Sequence, residues 1–349
     1  MINLRYHIVS ITAVFLALGI GLTLGSSFLD RVTVDNLKHR LDSVQTRVDA
    51  TEAENGALSG QVDALRKRDG GLADELPERL MAGHLDGVPV LVIAARGTDE
   101  ALVTAAIRSL SAAGAQVAGT WWLTDGWLLE DAKQASTLAG VLGVNSTDPD
   151  RLRRNGAIQM AELLNQASKP PVPQLDPATG APVIPSADPR VVPSPASEPE
   201  LLAKLRDAGF IDYQALVGSG DERALLPGAS ARYVVVSGAS PGAGPQRFAA
   251  SLLDAVVANG VAPVVAAQGL VDLPKADAPP SEDDRRTTFV GPLRAGDLTR
   301  DRLSTIDDLD TAAGLAALVL AVEDLGTPLV GHYGAASSAT RLLPAVPTG

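Results

Sequence analysis

The residues best suited to chemistry gather near the C-terminal end. Asp307, Asp308 and Asp310 form an acidic cluster, and His332 stands in Gly331-His332-Tyr333-Gly334. Paired carboxylates can bind a hard cation or serve as acid and base. Carboxylates just ahead of an apolar helix also cap it and favour its positive end, and that is the stronger reading here. A nucleophile–base–acid set can be drawn from Ser304, His332 and Asp307, but no nucleophile elbow accompanies it. A lone histidine in a glycine-rich loop is more often structural than catalytic. No catalytic residue and no cofactor-binding residue follows from these types and spacings, so the chain does not read as an enzyme.

Two further loops stand where an open parallel sheet binds ligands, after strand-like runs. Ala95-Arg96-Gly97-Thr98-Asp99 has a single glycine and is no dinucleotide fingerprint. Gly238 to Pro245 follows a strand-like run and precedes a helical one, the right place for a phosphate cradle. It lacks both the GxGxxG spacing and the Walker Lys-Ser/Thr, and Pro245 fits a plain helix start. Trp121, Trp122 and Trp127 are all the tryptophans. On a strand, Trp121 and Trp122 point to opposite faces. One is expected in the core; the other is either a contact surface for a partner or covered by a helix.

Composition narrows the classes. The 349 residues are 46% hydrophobic but only 3% aromatic, so Ala, Val, Leu and Gly must fill the core. A net charge of −12 argues against nucleic acid, which needs clustered Lys and Arg. There is no cysteine, hence no disulfide, thiolate ligand or thiol nucleophile.

Ile8 to Leu29 carries no charge over 22 residues. As a helix it spans about 33 Å, enough to cross a bilayer core. A signal peptide is the competing reading, but its apolar core would be shorter. Arg5 precedes the span, while Arg31, Lys38, Arg40 and Arg47 follow it. The positive-inside count would keep the C-terminal side in the cytoplasm, but long domains translocate regardless of that count. Ala13, Ala17, Gly21 and Gly25 recur every fourth residue, and Gly21 to Gly25 is a GxxxG pair. Small residues so spaced let two helices approach closely in lipid.

Beyond the anchor, Val34, Leu37, Leu41, Val44, Val48, Thr51, Asn55, Leu58, Val62 and Leu65 alternate in steps of three and four. That is a heptad pattern with Val recurring at a and Leu at d, the preference of a parallel two-stranded coiled coil. Asn55 at an a position would fix register and dimer state, and Arg47 and Glu52 stand where strands exchange charge. An amphipathic helix packed on the soluble domain is the alternative, favoured by Gly56 and Gly60. The small-residue face beside the repeat tips the balance to a parallel homodimer.

Asp69-Gly70-Gly71 reads as a helix break, opening a linker over 69–87. An α/β domain then occupies 88–349. Strands are expected at Val88–Ala95, Gln116–Leu123, Arg232–Ser237 and Ala262–Ala267, with a short one at Thr287–Val290. Helices are expected at Thr98–Ala113, 129–142, 150–167, Glu198–Ala208, Pro245–Asn259 and Thr311–Leu325. Lys169 to Pro199 holds ten prolines and reads as a disordered insertion within this domain, a domain linker being the alternative. The sum is an N-terminal transmembrane helix (1–29), a coiled coil (30–68) and an open, mostly parallel, Rossmann-like sheet with helices on both faces.

Three stretches resemble the actinobacterial envelope family MctB. They are Leu4-Arg5-Tyr6-His7-Ile8-Val9-Ser10 running into Phe15-Leu16-Ala17-Leu18-Gly19-Ile20-Gly21, then Ser304-Thr305-Ile306-Asp307-Asp308-Leu309-Asp310-Thr311, then Gly331-His332-Tyr333-Gly334. The resemblance covers nearly the whole chain. It implies a cell-envelope membrane protein with the soluble domain outside the cytoplasm and a role in copper efflux and homeostasis. The family also implies outer-membrane pores in some members, and in others, under the name SteB, partnership with the membrane protein SteA in cell separation and peptidoglycan cleavage. The residues support these unequally. A pore barrel needs many alternating strands, and the strands here read as buried. Cu(I) prefers thiolate and thioether, and Cu(II) imidazole. Met1, Met81 and Met160, and His7, His39, His84 and His332, include only one close pair, Met81 and His84. Copper therefore enters as a transported ion, not as a resident cofactor.

Overall fold

The computed structural model describes residues 4–169, 198–216, 226–227, 230–238, 244–258, 260, 263–269, 288–336 and 338–344, with side chains except at 4, 26–39, 66, 68, 70 and 72–80. The Pro-rich segment's 170–197 and most of the glycine-rich loop after Gly238 lie outside those residues. The chain divides into two units, Met1–Arg68 and Asp69–Gly349.

Helix α1 (Leu4–Leu80) supplies the whole described part of the first unit. Its apolar stretch, Arg5–Gly25, is long enough to cross a membrane, and none of it is buried against protein. Contrary to the expected break, Asp69-Gly70-Gly71 lies inside this helix. Two glycines cost about 1 kcal/mol each in a helix, and the Ala, Leu, Lys, Arg and Glu on either side outweigh them.

The second unit is a seven-stranded sheet, in the order β3-β2-β1-β4-β5-β6-β7. The strands are β1 (Pro89–Ala95), β2 (Gln116–Leu123), β3 (Ile211–Ala215), β4 (Arg232–Ser237), β5 (Val264–Gln268), β6 (Ser304–Ile306) and β7 (His332–Tyr333). All pairs are parallel except the antiparallel edge pair β2–β3. The helices are α2 (Glu100–Ala112), α3 (Ala132–Leu142), α4 (Pro149–Ala167), α5 (Glu200–Asp207), α6 (Gly244–Ala258), α7 (Val290–Ala295) and α8 (Ala312–Glu323), with a 3-10 turn at Asp125–Leu128.

Alternation along the strands makes two cores. Leu91, Ile93, Trp121, Tyr233 and Val235 face one layer, built from α3, α4, α5, α6 and α7. Val90, Val92, Ala94, Trp122, Val234 and Val236 face the other, built from α2 and α8. Helices on both faces explain why these strands read as continuous apolar runs. Both strand tryptophans are buried, so neither is a contact surface for a partner. Trp122 donates its Nε1–H to Gln214 at 2.9 Å, and the Arg96 guanidinium lies 4.8 Å from its ring centre. Trp127 stacks on Phe248 and donates to the Phe210 carbonyl.

Local sequence sets the element ends. Asp99, Asp131 and Asp148 cap α2, α3 and α4 by accepting from backbone N–H groups. Gly119 has φ 145° at the irregularity between β1 and β2. A Cβ there would lie 2.7 Å from both the Gln214 carbonyl and the Tyr213 hydroxyl, so only glycine fits. Asp148→Ala should cost about 1 kcal/mol through loss of its 2.7 Å bond from the Arg151 N–H. Urea unfolding followed by tryptophan fluorescence would read it, because all three tryptophans lie in this unit.

Two expectations fail here. The strand expected at Thr287–Val290 is not formed by its described residues, 288–290, Thr287 lying outside them; Val290 opens α7, with its N–H on Gln268 Oε1 and the Gly291 N–H on Thr288 Oγ1. Tertiary capping outweighs the β-branched run. The acidic cluster does not cap α8 either. Thr311 does, accepting from the Gly314 N–H, while the Asp69 carboxylate accepts from the Ala312 N–H.

Candidate functional site

In the first unit, the expected dimer faces are open. Nothing lies within 4 Å of a Cβ built on Gly21 or Gly25. Ala17 and Gly21 share a shallow apolar groove with Val14, Leu18 and Leu22, and Ala13 lies one turn before Ala17. Further along, Leu41, Val44, Val48, Leu58, Val62 and Leu65 are between 44% and 63% exposed. Val44, Val48 and Thr51 line a second groove with Arg47 and Glu52. Thr51 and Asn55 are exposed too, whereas the side chains of Val34 and Leu37 lie outside the described residues. A helix keeps such a seam in water only at the cost of the apolar area it exposes, about 25 cal/mol per Å².

In the second unit, the acidic cluster and the Gly-His-Tyr-Gly loop meet in one buried clasp. Strand β6 carries the chain to Asp307, and β7 brings His332 and Tyr333 alongside. Arg294, from α7, joins them. Its Nε donates to Thr305 Oγ1 at 2.8 Å, one terminal nitrogen to Asp307 Oδ2 and to Ser338 Oγ, and the other to the Tyr333 carbonyl at 2.9 Å. The Arg294 and Asp307 side chains are only 3% and 2% exposed. Asp307 Oδ1 accepts from the Ala335 and Ala336 N–H groups at 2.9 and 3.1 Å. The flanking glycines are steric necessities. A Cβ on Gly331 would enter the Tyr333 ring, and one on Gly334, at φ 128°, would enter the Asp307 carboxylate.

The electrostatics fit a structural clasp. Burial lowers the Arg294 pKa, against the pull of Asp307. Burial, then the neighbouring Arg294 charge, lowers that of His332 and keeps it neutral. Thr305 Oγ1, which accepts from Arg294 Nε, lies 2.9 Å from His332 Nδ1, within hydrogen-bond distance of the ring. Asp308 is pushed up to about 6, by burial first and the adjacent Asp307 second. Asp310 is exposed and outside the clasp. Ser304, His332 and Asp307 do not form a triad: Ser304 Oγ accepts from the Gly331 N–H, His332 is held by Thr305, and Asp307 by Arg294. Sequence reasoning missed Arg294 and Thr305, since a single basic residue in a short helix carries no spacing signal.

No group of three His, Cys, Asp or Glu that could hold a metal occurs among the described residues. Met160 is in the core, and His84 pairs with Glu323 at 2.8 Å.

The clasp is built from two of the three stretches that carry the sequence resemblance, and the anchor carries the third. The family model described as "Copper transport outer membrane protein, MctB" matches residues 1–344. The chain belongs to the MctB family. Among curated MctB relatives, "Copper transporter MctB" of Mycobacterium tuberculosis (strain ATCC 25618 / H37Rv) is 29% identical over 343 residues, covering 96% of both chains. The protein of the same name from Mycobacterium leprae (strain TN) is 28% identical over 350 residues, covering 98% of this chain and 99% of the relative. The family is described as one of copper transport, and copper as cargo is consistent with that description. The open α/β sheet of this MctB-family chain has β3 and β7 at its edges and helices on both faces, so its described strands belong to a globular domain.

Proposed function

We propose that the chain serves copper efflux from the cell envelope as a membrane-anchored parallel homodimer, with its α/β domain outside the cytoplasm. The process comes from the relatives named copper transporters. The part played by this chain is argued from one observation, the exposed heptad seam from Leu41 to Leu65 on the helix that also carries the anchor. Pairing two such seams buries Val at a and Leu at d, and the Ala13, Ala17, Gly21 and Gly25 face allows close approach in lipid. One membrane helix makes no conduit alone. Copper therefore passes through a larger oligomer or a conducting partner that the dimer holds.

A second reading rests on the same seam: a coiled-coil scaffold that binds a SteA-like membrane partner and regulates cell separation and peptidoglycan cleavage, without transport. Cell copper and cell separation, scored together in a strain lacking this gene and grown in raised copper, separate the two. Raised copper with normal separation supports efflux. Normal copper with chained cells overturns it in favour of the scaffold.

Self-association has its own test. Gly21→Leu with Gly25→Leu should reduce crosslinked dimer severalfold, since two bulky residues hold the helices apart; unchanged yield would remove this face as the interface. Asn55→Val should stabilise the coil but loosen its oligomer state. A unique dimer in that variant would show that Asn55 is not the specifier.

A further inference from the structure

The strand order reverses between β1 and β4, which neighbour each other although β2 and β3 come between them in the chain. Ligands of open α/β sheets bind at the carboxyl ends of the strands at such a point. Here those ends are Gly97-Thr98 after β1 and Ser237-Gly238 after β4. The loops touch: a Cβ on Gly238 would lie 3.4 Å from the Gly97 carbonyl and 3.8 Å from Thr98 Cα. Gln246, in the first turn of α6, reaches across and donates its Nε2 to the Arg96 carbonyl at 3.0 Å.

Three buried polar atoms at this junction have no partner among the described residues: Thr98 Oγ1, Ser237 Oγ and Gln246 Oε1. Their residues are 6%, 0% and 7% exposed. A fourth, Trp121 Nε1, is on the same sheet face as Ser237, one strand beyond β1. Buried polar groups are nearly always paired, because an orphan keeps its full desolvation cost. A flip of the Gln246 amide gives no relief, since it would set carbonyl against carbonyl at Arg96. Four of the six such atoms among the described residues therefore belong to this one face and junction.

The donor set defines the ligand. Gln246 Oε1 only accepts, Trp121 Nε1 only donates, and the two hydroxyls do both. Neither Arg96 nor Arg153, the arginines whose bonds lie at this end of the sheet, is free to join them. Arg96 is committed to Asp212 at 2.6 Å and to the Trp122 ring, and Arg153 to the Trp127 and Leu128 carbonyls and Asp150. The start of α6 is closed by the backbone of Trp127 and Leu128, which a Cβ on Gly244 would strike. The geometry points to a binding site at the β1–β4 junction for a small neutral ligand bearing hydroxyl or amide groups, and not for a phosphate or nucleotide. This inference stands independently of the efflux reading.

The test is saturation-transfer NMR on the full chain in lipid nanodiscs, with glycerol, glucose and N-acetylglucosamine as probes and inorganic phosphate and AMP as competitors. Transfer to at least one neutral probe is expected, unaffected by phosphate or AMP and weakened about tenfold or more in Ser237→Ala or Gln246→Met. Without probe, Ser237→Ala should melt no lower than the native chain, because it removes an orphan hydroxyl. Absence of transfer from all three probes, displacement by phosphate or AMP, or a lower melting point for Ser237→Ala would each overturn the proposal.

Discussion

Arg294→Met should destabilise the α/β domain by about 3–5 kcal/mol, the cost of leaving a buried carboxylate without its counter-charge. Arg294 makes bonds to Thr305, Asp307, Ser338 and the Tyr333 carbonyl, and these tie α7, β6, β7 and the following loop together. Met fills the space but satisfies none of these acceptors. Asp307→Asn should be severe for the converse reason, although its amide oxygen can still accept from the Ala335 and Ala336 N–H groups. The double variant Arg294→Met with Asp307→Asn removes both charges, so it should be more stable than the Arg294→Met single variant. A double-mutant cycle from urea unfolding, read by tryptophan fluorescence, measures the coupling. A loss below about 1 kcal/mol for Arg294→Met would mean that the ion pair does not hold the clasp.

The clasp also explains what the sequence could and could not reveal. Strands β1, β2, β4 and β5 were legible because a parallel strand buried on both faces is a run of Val, Leu, Ile and Ala. Strand β3 was not, since only Ile211 of its five residues is fully buried and its neighbours alternate. Strands β6 and β7 have three and two residues, too few for any period. Asp307 and His332 were visible as residue types. Their roles were not, because the decisive partner lies on α7 and meets them only once the sheet has formed. The orphan atoms at the β1–β4 junction were invisible for a related reason. Ser237 and Gln246 are ordinary residues, and only the fold tells which of their atoms go unpaired.

Asp308→Asn should have the opposite sign to Arg294→Met and raise stability at neutral pH. Asp308 Oδ1 is buried without a partner, and its carboxyl titrates at about 6 against an ordinary 3.8. The folded state therefore holds this proton more tightly than the unfolded chain. Its stabilising contribution is complete below about pH 4 and is lost as pH rises through about 6, where burial must accommodate a charge. The difference corresponds to at most about 3 kcal/mol. Asparagine stays neutral at every pH. The gain of Asp308→Asn over the native chain should thus be near zero at pH 4, grow between pH 4 and 6, and level off above about pH 7. Asp307, its neighbour in sequence, faces Arg294 and two backbone donors instead, so Asp307→Asn should destabilise where Asp308→Asn stabilises. Urea midpoints from pH 4 to 8 for the two variants test this directly. Parallel pH profiles for Asp308→Asn and the native chain would show that Asp308 finds water or a cation in its charged form.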